Sequence, residues 1–118
     1  MAPVAELTVY EKPTCTTCRK LVALLDERGV DLDRVDYHVR GLTEAELRAL
    51  LAKLGTGPRE VLRTREALVK ELDLPGERSD DELVALMVEH PQLVQRPIVV
   101  HGDRAVLARP VERALELL

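Results

Sequence analysis

Two cysteines separated by two residues, in Tyr10-Glu11-Lys12-Pro13-Thr14-Cys15-Thr16-Thr17-Cys18-Arg19-Lys20, are the residues of this chain best suited to do chemistry. An alternating segment ends at Tyr10, Pro13 breaks it, and the C-x-x-C opens a run with helical spacing. At a helix N-terminus the unpaired backbone N–H groups and the helix dipole favour negative charge. A cysteine there is held as thiolate, its pKa lowered from ~8.5 into the ~3.5–7.5 range of reactive thiols. Cys15 is the better placed, because the N–H groups of Thr16, Thr17 and Cys18 point back toward it. Cys18, a turn deeper, is expected to be less exposed and higher in pKa. The spacing thus predicts Cys15 as a nucleophile within a cradle of N–H donors that also suits an oxyanion.

Two other readings of the pair compete with this one. A C-x-x-C is half of a zinc site, but there is no second C-x-x-C, and His38, His90 and His101 lack the paired spacing of structural ligands. A buried, inert pair fits poorly with the polar Pro-Thr-Cys-Thr-Thr context and the adjacent Arg19 and Lys20. No metal is therefore expected. Attack on a tetrahedral oxyanion also calls for guanidinium groups, whose forks bind two oxygens at once. The candidates are Arg59, Arg63 and Arg65 in mid-chain, Arg96 before Pro97, and Arg109 before Pro110. Proline pushes the preceding residue toward extended geometry, which sets Arg96 and Arg109 at element boundaries. His38 and His90 read as structural or surface groups.

The elements that must position these groups follow from periodicity and punctuation. Glu6 to Tyr10 reads as a first strand, Cys15 to Arg28 as a helix stopped at Gly29, and Arg34 to Val39 as a second strand. Thr43-Glu44-Ala45-Glu46 is a capping box for a helix through Leu54, ended by Gly55. Ser79-Asp80-Asp81-Glu82 is another, for a helix through His90 with Pro91 beyond. Pro58 to Leu72 reads as one or two shorter helices. Ile98–Val100 and Ala105–Leu107 are short strands around His101-Gly102-Asp103, which has hairpin chemistry. Pro110 suits the first position of a closing helix, Val111 to Leu118. The order β-α-β, helical insertion (about 43–91), β-β-α predicts an α/β domain over residues 1–118, with a thioredoxin-like mixed sheet flanked by helices.

Composition narrows the function classes. The chain has 118 residues, 46% hydrophobic and 32% charged, with two tyrosines as its only aromatics. Leu, Val and Ala must fill the core, and the scarcity of aromatics argues against the stacking platforms that bind single-stranded nucleic acid. A net charge of −4 argues against a general polyanion binder. Thirteen of the seventeen basic residues are nevertheless Arg. The sequence lacks a stretch approaching the ~18 apolar residues of a membrane span and lacks the build of a signal peptide, so a cytoplasmic location is expected. In that reducing compartment thiols are more often catalytic than structural.

Four segments together carry a family likeness: Pro13-Thr14-Cys15-Thr16-Thr17-Cys18-Arg19-Lys20; Arg59-Glu60-Val61-Leu62-Arg63; Ser79 through Pro91; and Arg96-Pro97-Ile98-Val99-Val100 with Ala108-Arg109-Pro110. In these the sequence resembles the ArsC-type arsenate reductase family of thioredoxin-like proteins, with its redox-regulator branch, the Spx proteins. The resemblance implies that Cys15 is the nucleophile, that Arg59, Arg96 and Arg109 form the arginine triad that binds arsenate, and that Pro97 is a cis proline facing the cysteine loop. It implies a monomer that reduces arsenate to arsenite without a bound cofactor. The electrons would come from glutathione with glutaredoxin, or from thioredoxin, with no nucleic-acid or membrane partner.

The chain departs from the arsenate-reducing branch at three positions. Members often have Ser where Cys18 stands, and His and Asn where Glu11 and Lys12 stand. Cys18 is therefore a candidate resolving thiol. Lys12 favours the Cys15 thiolate and Glu11 opposes it. Two alternatives share the C-x-x-C: an Spx-like regulator whose disulfide switch governs binding to RNA polymerase, and a general thiol–disulfide oxidoreductase. The presence of Arg59, Arg96 and Arg109 together favours the oxyanion substrate.

Overall fold

The computed structural model describes residues 7–74 and 76–118. Strand β1 (Leu7–Glu11) is followed by helix α1 (Thr16–Glu27), strand β2 (Leu32–Asp36) and the single-turn α2 (Tyr37–Arg40). Helices α3 (Glu44–Leu54), α4 (Ala67–Glu71) and α5 (Asp80–Glu89) come next, with 3₁₀ turns at Pro58–Val61 and Pro91–Leu93. The hairpin β3 (Ile98–His101) and β4 (Arg104–Leu107) leads into a closing 3₁₀ segment, Val111–Leu117. Glu6, expected to begin the first strand, lies outside the described residues.

The four strands form one mixed sheet in the order β2-β1-β3-β4. β1 and β2 are parallel, joined by the α1 crossover, while β3 runs antiparallel to β1 and β4 antiparallel to β3. Strand side chains alternate between two cores. Leu7 and Val9 of β1 and Val99 of β3 pack with Leu21 and Leu25 of α1 and with Ala114 and Leu117. Ile98 and Val100 face the other way, into a cluster with Leu47, Leu50, Leu83 and Met87 from α3 and α5. Helices thus cover both faces. Among the described residues no helix is long and apolar enough to cross a membrane.

Local signals explain the helix ends. Thr43 accepts a hydrogen bond from the Glu46 N–H at 3.1 Å, but the expected capping box is not closed, because the Glu46 carboxylate turns to Tyr10 and Arg40 instead; Gly55 closes α3 in the left-handed conformation. Ser79 and Glu82 form a reciprocal capping box that opens α5.

Two elements differ from expectation. The second strand runs Leu32–Asp36 rather than Arg34 to Val39, and residues Tyr37–Arg40 turn into a helix. The cause is Tyr37, which is fully buried and donates its hydroxyl to the Val94 carbonyl at 2.6 Å. That anchor pulls the chain off the sheet edge. The closing helix is 3₁₀ rather than α, and Pro110 is its N-cap in extended geometry instead of its first helical residue. The peptide bonds before Pro97 and Pro110 are both cis.

Candidate active site

Cys15 sits at the N-cap of α1 in extended geometry (φ −77°, ψ 126°), at the exit of a tight loop. Its N–H bonds the Lys12 carbonyl at 2.9 Å, and its own carbonyl accepts the first helical bond, from Arg19, at 3.0 Å. The Arg19 side chain braces the loop through the Pro13 carbonyl at 3.1 Å. Cys15 is partly exposed and Cys18 is buried, and both are free thiols. Burial pushes the Cys15 thiol up, but the backbone N–H and thiol of Cys18, together with the Arg96 guanidinium, outweigh it and bring the pKa down to about 7. Burial dominates at Cys18 and, with help from the neighbouring Cys15 and Glu11, pushes it up to about 12. The two sulfurs are therefore biased in opposite senses, Cys15 toward the thiolate and Cys18 toward the protonated thiol.

Cys15 opens on a cavity of about 530 Å³. The cysteine loop contributes Lys12, Thr14, Thr16 and Thr17 to its wall, and the distant segments contribute Arg63, Arg65, Gln95, Arg96 and Arg109. Among the described residues its lining is five basic groups and no carboxylate. Such a wall selects an anion, and helix-end N–H groups beside guanidinium forks suit a tetrahedral one.

Three of the four arginines have a traceable support. Arg96 is 5% exposed and precedes the cis Pro97 at the start of β3. Arg109 donates its Nε to the Arg96 carbonyl at 2.7 Å, which ties the two arginine–proline corners together. Arg63 is delivered by antiparallel pairing of residues 61–63 with 93–95. There Arg63 N–H bonds the Leu93 carbonyl at 2.7 Å and Gln95 N–H the Val61 carbonyl at 2.8 Å, around a Leu62–Val94 bridge. Glu66 then steadies the Arg63 Nε at 3.2 Å.

Of the predicted site residues, Cys15, Thr16, Thr17, Arg96 and Arg109 converge on this cavity, and Cys18 lies beneath it. Arg59 does not. Its guanidinium is directed to the carbonyls of Gly76 and Arg78, with Asp80 at 4.0 Å, so it fastens the chain leading into α5. Arg63, one turn further on, takes the place expected for Arg59. Arg63→Ala is accordingly expected to weaken binding of an oxyanion such as arsenate about tenfold or more. Arg59→Ala is expected to lower the thermal midpoint and leave that binding within about twofold. Calorimetric titration and a melt of each variant check both. Sequence reasoning also missed Tyr37 and His38, which reach Arg96 from α2; no local pattern marks them.

A mixed sheet of this topology, with a cysteine at the N-cap of its first helix and a cis proline immediately before β3, defines a thioredoxin-like protein. The chain belongs to the ArsC family, whose sequence model matches residues 10–117. An uncharacterized Escherichia coli protein, YfgD, is 38% identical, over 96% of this chain and 97% of its own length. Arsenate reductase of Haemophilus influenzae is 36% identical, over 93% and 97%. Among solved structures, arsenate reductase from Vibrio cholerae superposes with a TM-score of 0.92 at 37% identity, covering 98% of this chain and all of the other.

Proposed function

We propose that this protein is an arsenate reductase that uses the Cys15 thiolate as nucleophile. The observation that carries the reading is the convergence of Cys15 with Arg63, Arg96 and Arg109 on a single cavity whose lining, among the described residues, holds no carboxylate. Its likeness over nearly the whole chain to proteins named arsenate reductase supports the choice of oxyanion.

The Cys15 thiolate attacks As(V) and forms a sulfur–arsenic bond, and one arsenate oxygen leaves as water after protonation. The guanidiniums and the N–H groups of Thr16 and Thr17 hold the negative oxygens throughout. A second thiol then attacks the Cys15 sulfur. The sulfur–arsenic bond breaks, its electron pair stays on arsenic, and arsenite leaves as a disulfide forms. Two thiols thus supply the two electrons that take As(V) to As(III).

Cys18 is the nearest candidate for that second thiol. A thiol with a pKa near 12 is a poor nucleophile until its proton is removed, so it does not compete with Cys15 for the first attack. On this reading the product is a Cys15–Cys18 disulfide, which thioredoxin reduces. With glutathione as second thiol, the product is a mixed disulfide that glutaredoxin resolves.

The test is arsenate-dependent NADPH oxidation by purified protein, coupled either to thioredoxin and its reductase or to glutathione, glutaredoxin and glutathione reductase. Turnover is expected in at least one system, and absence from both overturns the reading. Cys18→Ser is expected to cut the thioredoxin-coupled rate at least about tenfold and spare the glutathione-coupled one. If the substitution leaves both rates untouched, Cys18 has no resolving role.

A further inference from the structure

Arg96 is the most buried of the cavity arginines, yet among the described residues no carboxylate pairs with it. Its Nε is buried without a hydrogen-bond partner. What touches the rest of the guanidinium is unusual for a buried cation. Its Nη1 lies 3.2 Å from Nε2 of His38, and the Tyr37 hydroxyl and the Cys15 sulfur are also within reach. A guanidinium only donates, so Nε2 of His38 must accept, which fixes the imidazole as neutral with its proton on Nδ1.

We propose that neutral His38 is a positioning residue, which holds the Arg96 guanidinium against Cys15 and the oxyanion by accepting its Nη1–H. The inference rests on the arsenate-reductase reading for its substrate arm only. An acceptor without charge suits the task. A carboxylate in the same place would bind Arg96 more tightly, but it would cancel the charge the thiolate and the anion need. The imidazole orients the fork and leaves that charge unspent. α2 makes this possible, because the turn that buries Tyr37 carries His38 off the sheet edge, with the two rings packed 4.8 Å apart between centroids.

The groups facing His38 keep it in the accepting form at neutral pH. Burial disfavours its cation most, and Arg96 beside it and Lys12 of the cysteine loop add to that. Asp36 at the end of β2 and Glu66 before α4 act in the opposite sense, and the net effect is a lowered pKa. The hold is therefore present at and above neutral pH and fails as acidification protonates the ring.

Two variants separate positioning from packing. His38→Leu fills the space without an acceptor, and His38→Gln places an amide oxygen near the position of Nε2. The readouts are arsenate KM and kcat, and the pH dependence of Cys15 alkylation by iodoacetamide, a neutral reagent. In His38→Leu, KM is expected to rise roughly tenfold with kcat changed far less, since a clamp rather than a reacting group is displaced. Alkylation at pH 7 is expected to slow about two- to threefold as the thiolate loses part of its partner. His38→Gln is expected to restore both to within about twofold. Parent-like KM and alkylation in His38→Leu overturn the proposal. So does a His38→Gln variant as impaired as His38→Leu, which would make the ring a packing group. If the parent reduces no arsenate, the functional reading fails, and the alkylation arm still decides the role of His38.

Discussion

Cys15→Ser is expected to abolish arsenate-dependent thiol consumption, by about a thousandfold or more in kcat/KM. The substitution changes one atom and little else. Cys15 is partly exposed at a helix N-cap, where serine is at least as well accepted, so the fold and the anion cradle stay in place. What disappears is ionisation. The environment that brings the thiol to about 7 leaves a hydroxyl protonated, because an alcohol starts from a far higher pKa. The measurement is coupled turnover beside an arsenate-binding titration. Binding is expected to persist while turnover is lost, and residual turnover above about 1% removes the mechanism. In the parent, alkylation of Cys15 is expected to rise with pH through about 7, the sign required of a group that reacts only when deprotonated.

The parts of this site that could be read from the sequence are those built by neighbours in the chain. The C-x-x-C loop, the helix behind it, the two helix N-caps and the β3–β4 hairpin each depend on a few consecutive residues. Their side-chain chemistry states the geometry directly: Thr43 caps α3, Ser79 caps α5, and Gly102 turns the hairpin at positive φ. The arginines are different. Arg59 and Arg63 lie one turn apart and look alike in sequence. Which of them enters the cavity is decided by the pairing of residues 61–63 with 93–95, a contact that no local pattern encodes.

His38 was obscured for the same reason. Arg34 to Val39 alternates well enough for a strand, but Tyr37 gains more by burying its ring and bonding the Val94 carbonyl than by extending the sheet. Glu11 presents a third case. It continues the inward face of Leu7 and Val9, where an apolar residue is expected, and is 1% exposed. Arg34 on the adjacent strand satisfies one of its oxygens at 2.6 Å. Its negative charge helps to keep the Cys18 proton in place. A polar residue thus stands at a core position of β1 because the neighbouring strand supplies its ion-pair partner, which no local pattern in β1 reveals.

Arg96→Met is expected to separate stability from function in one substitution. Methionine fills much of the same volume with no charge. A buried guanidinium without a carboxylate partner is a cost to the folded state, so its removal is expected to leave the thermal midpoint at or above that of the parent. The activity effect runs the other way. Arg96 contributes to lowering the Cys15 pKa and offers donors to the oxyanion, so kcat/KM is expected to fall about 10²- to 10³-fold. The two contributions separate experimentally. Alkylation by iodoacetamide follows the thiolate alone, and its pH midpoint is expected to move to higher pH in Arg96→Met. Arsenate affinity, measured in the Cys15→Ser background where no thiolate forms, follows the anion site alone. Arg96→Lys restores charge without the fork and is expected to recover the alkylation profile better than the affinity. An Arg96→Met variant that keeps the parent's alkylation midpoint and arsenate affinity would remove Arg96 from the site, and the anion reading with it.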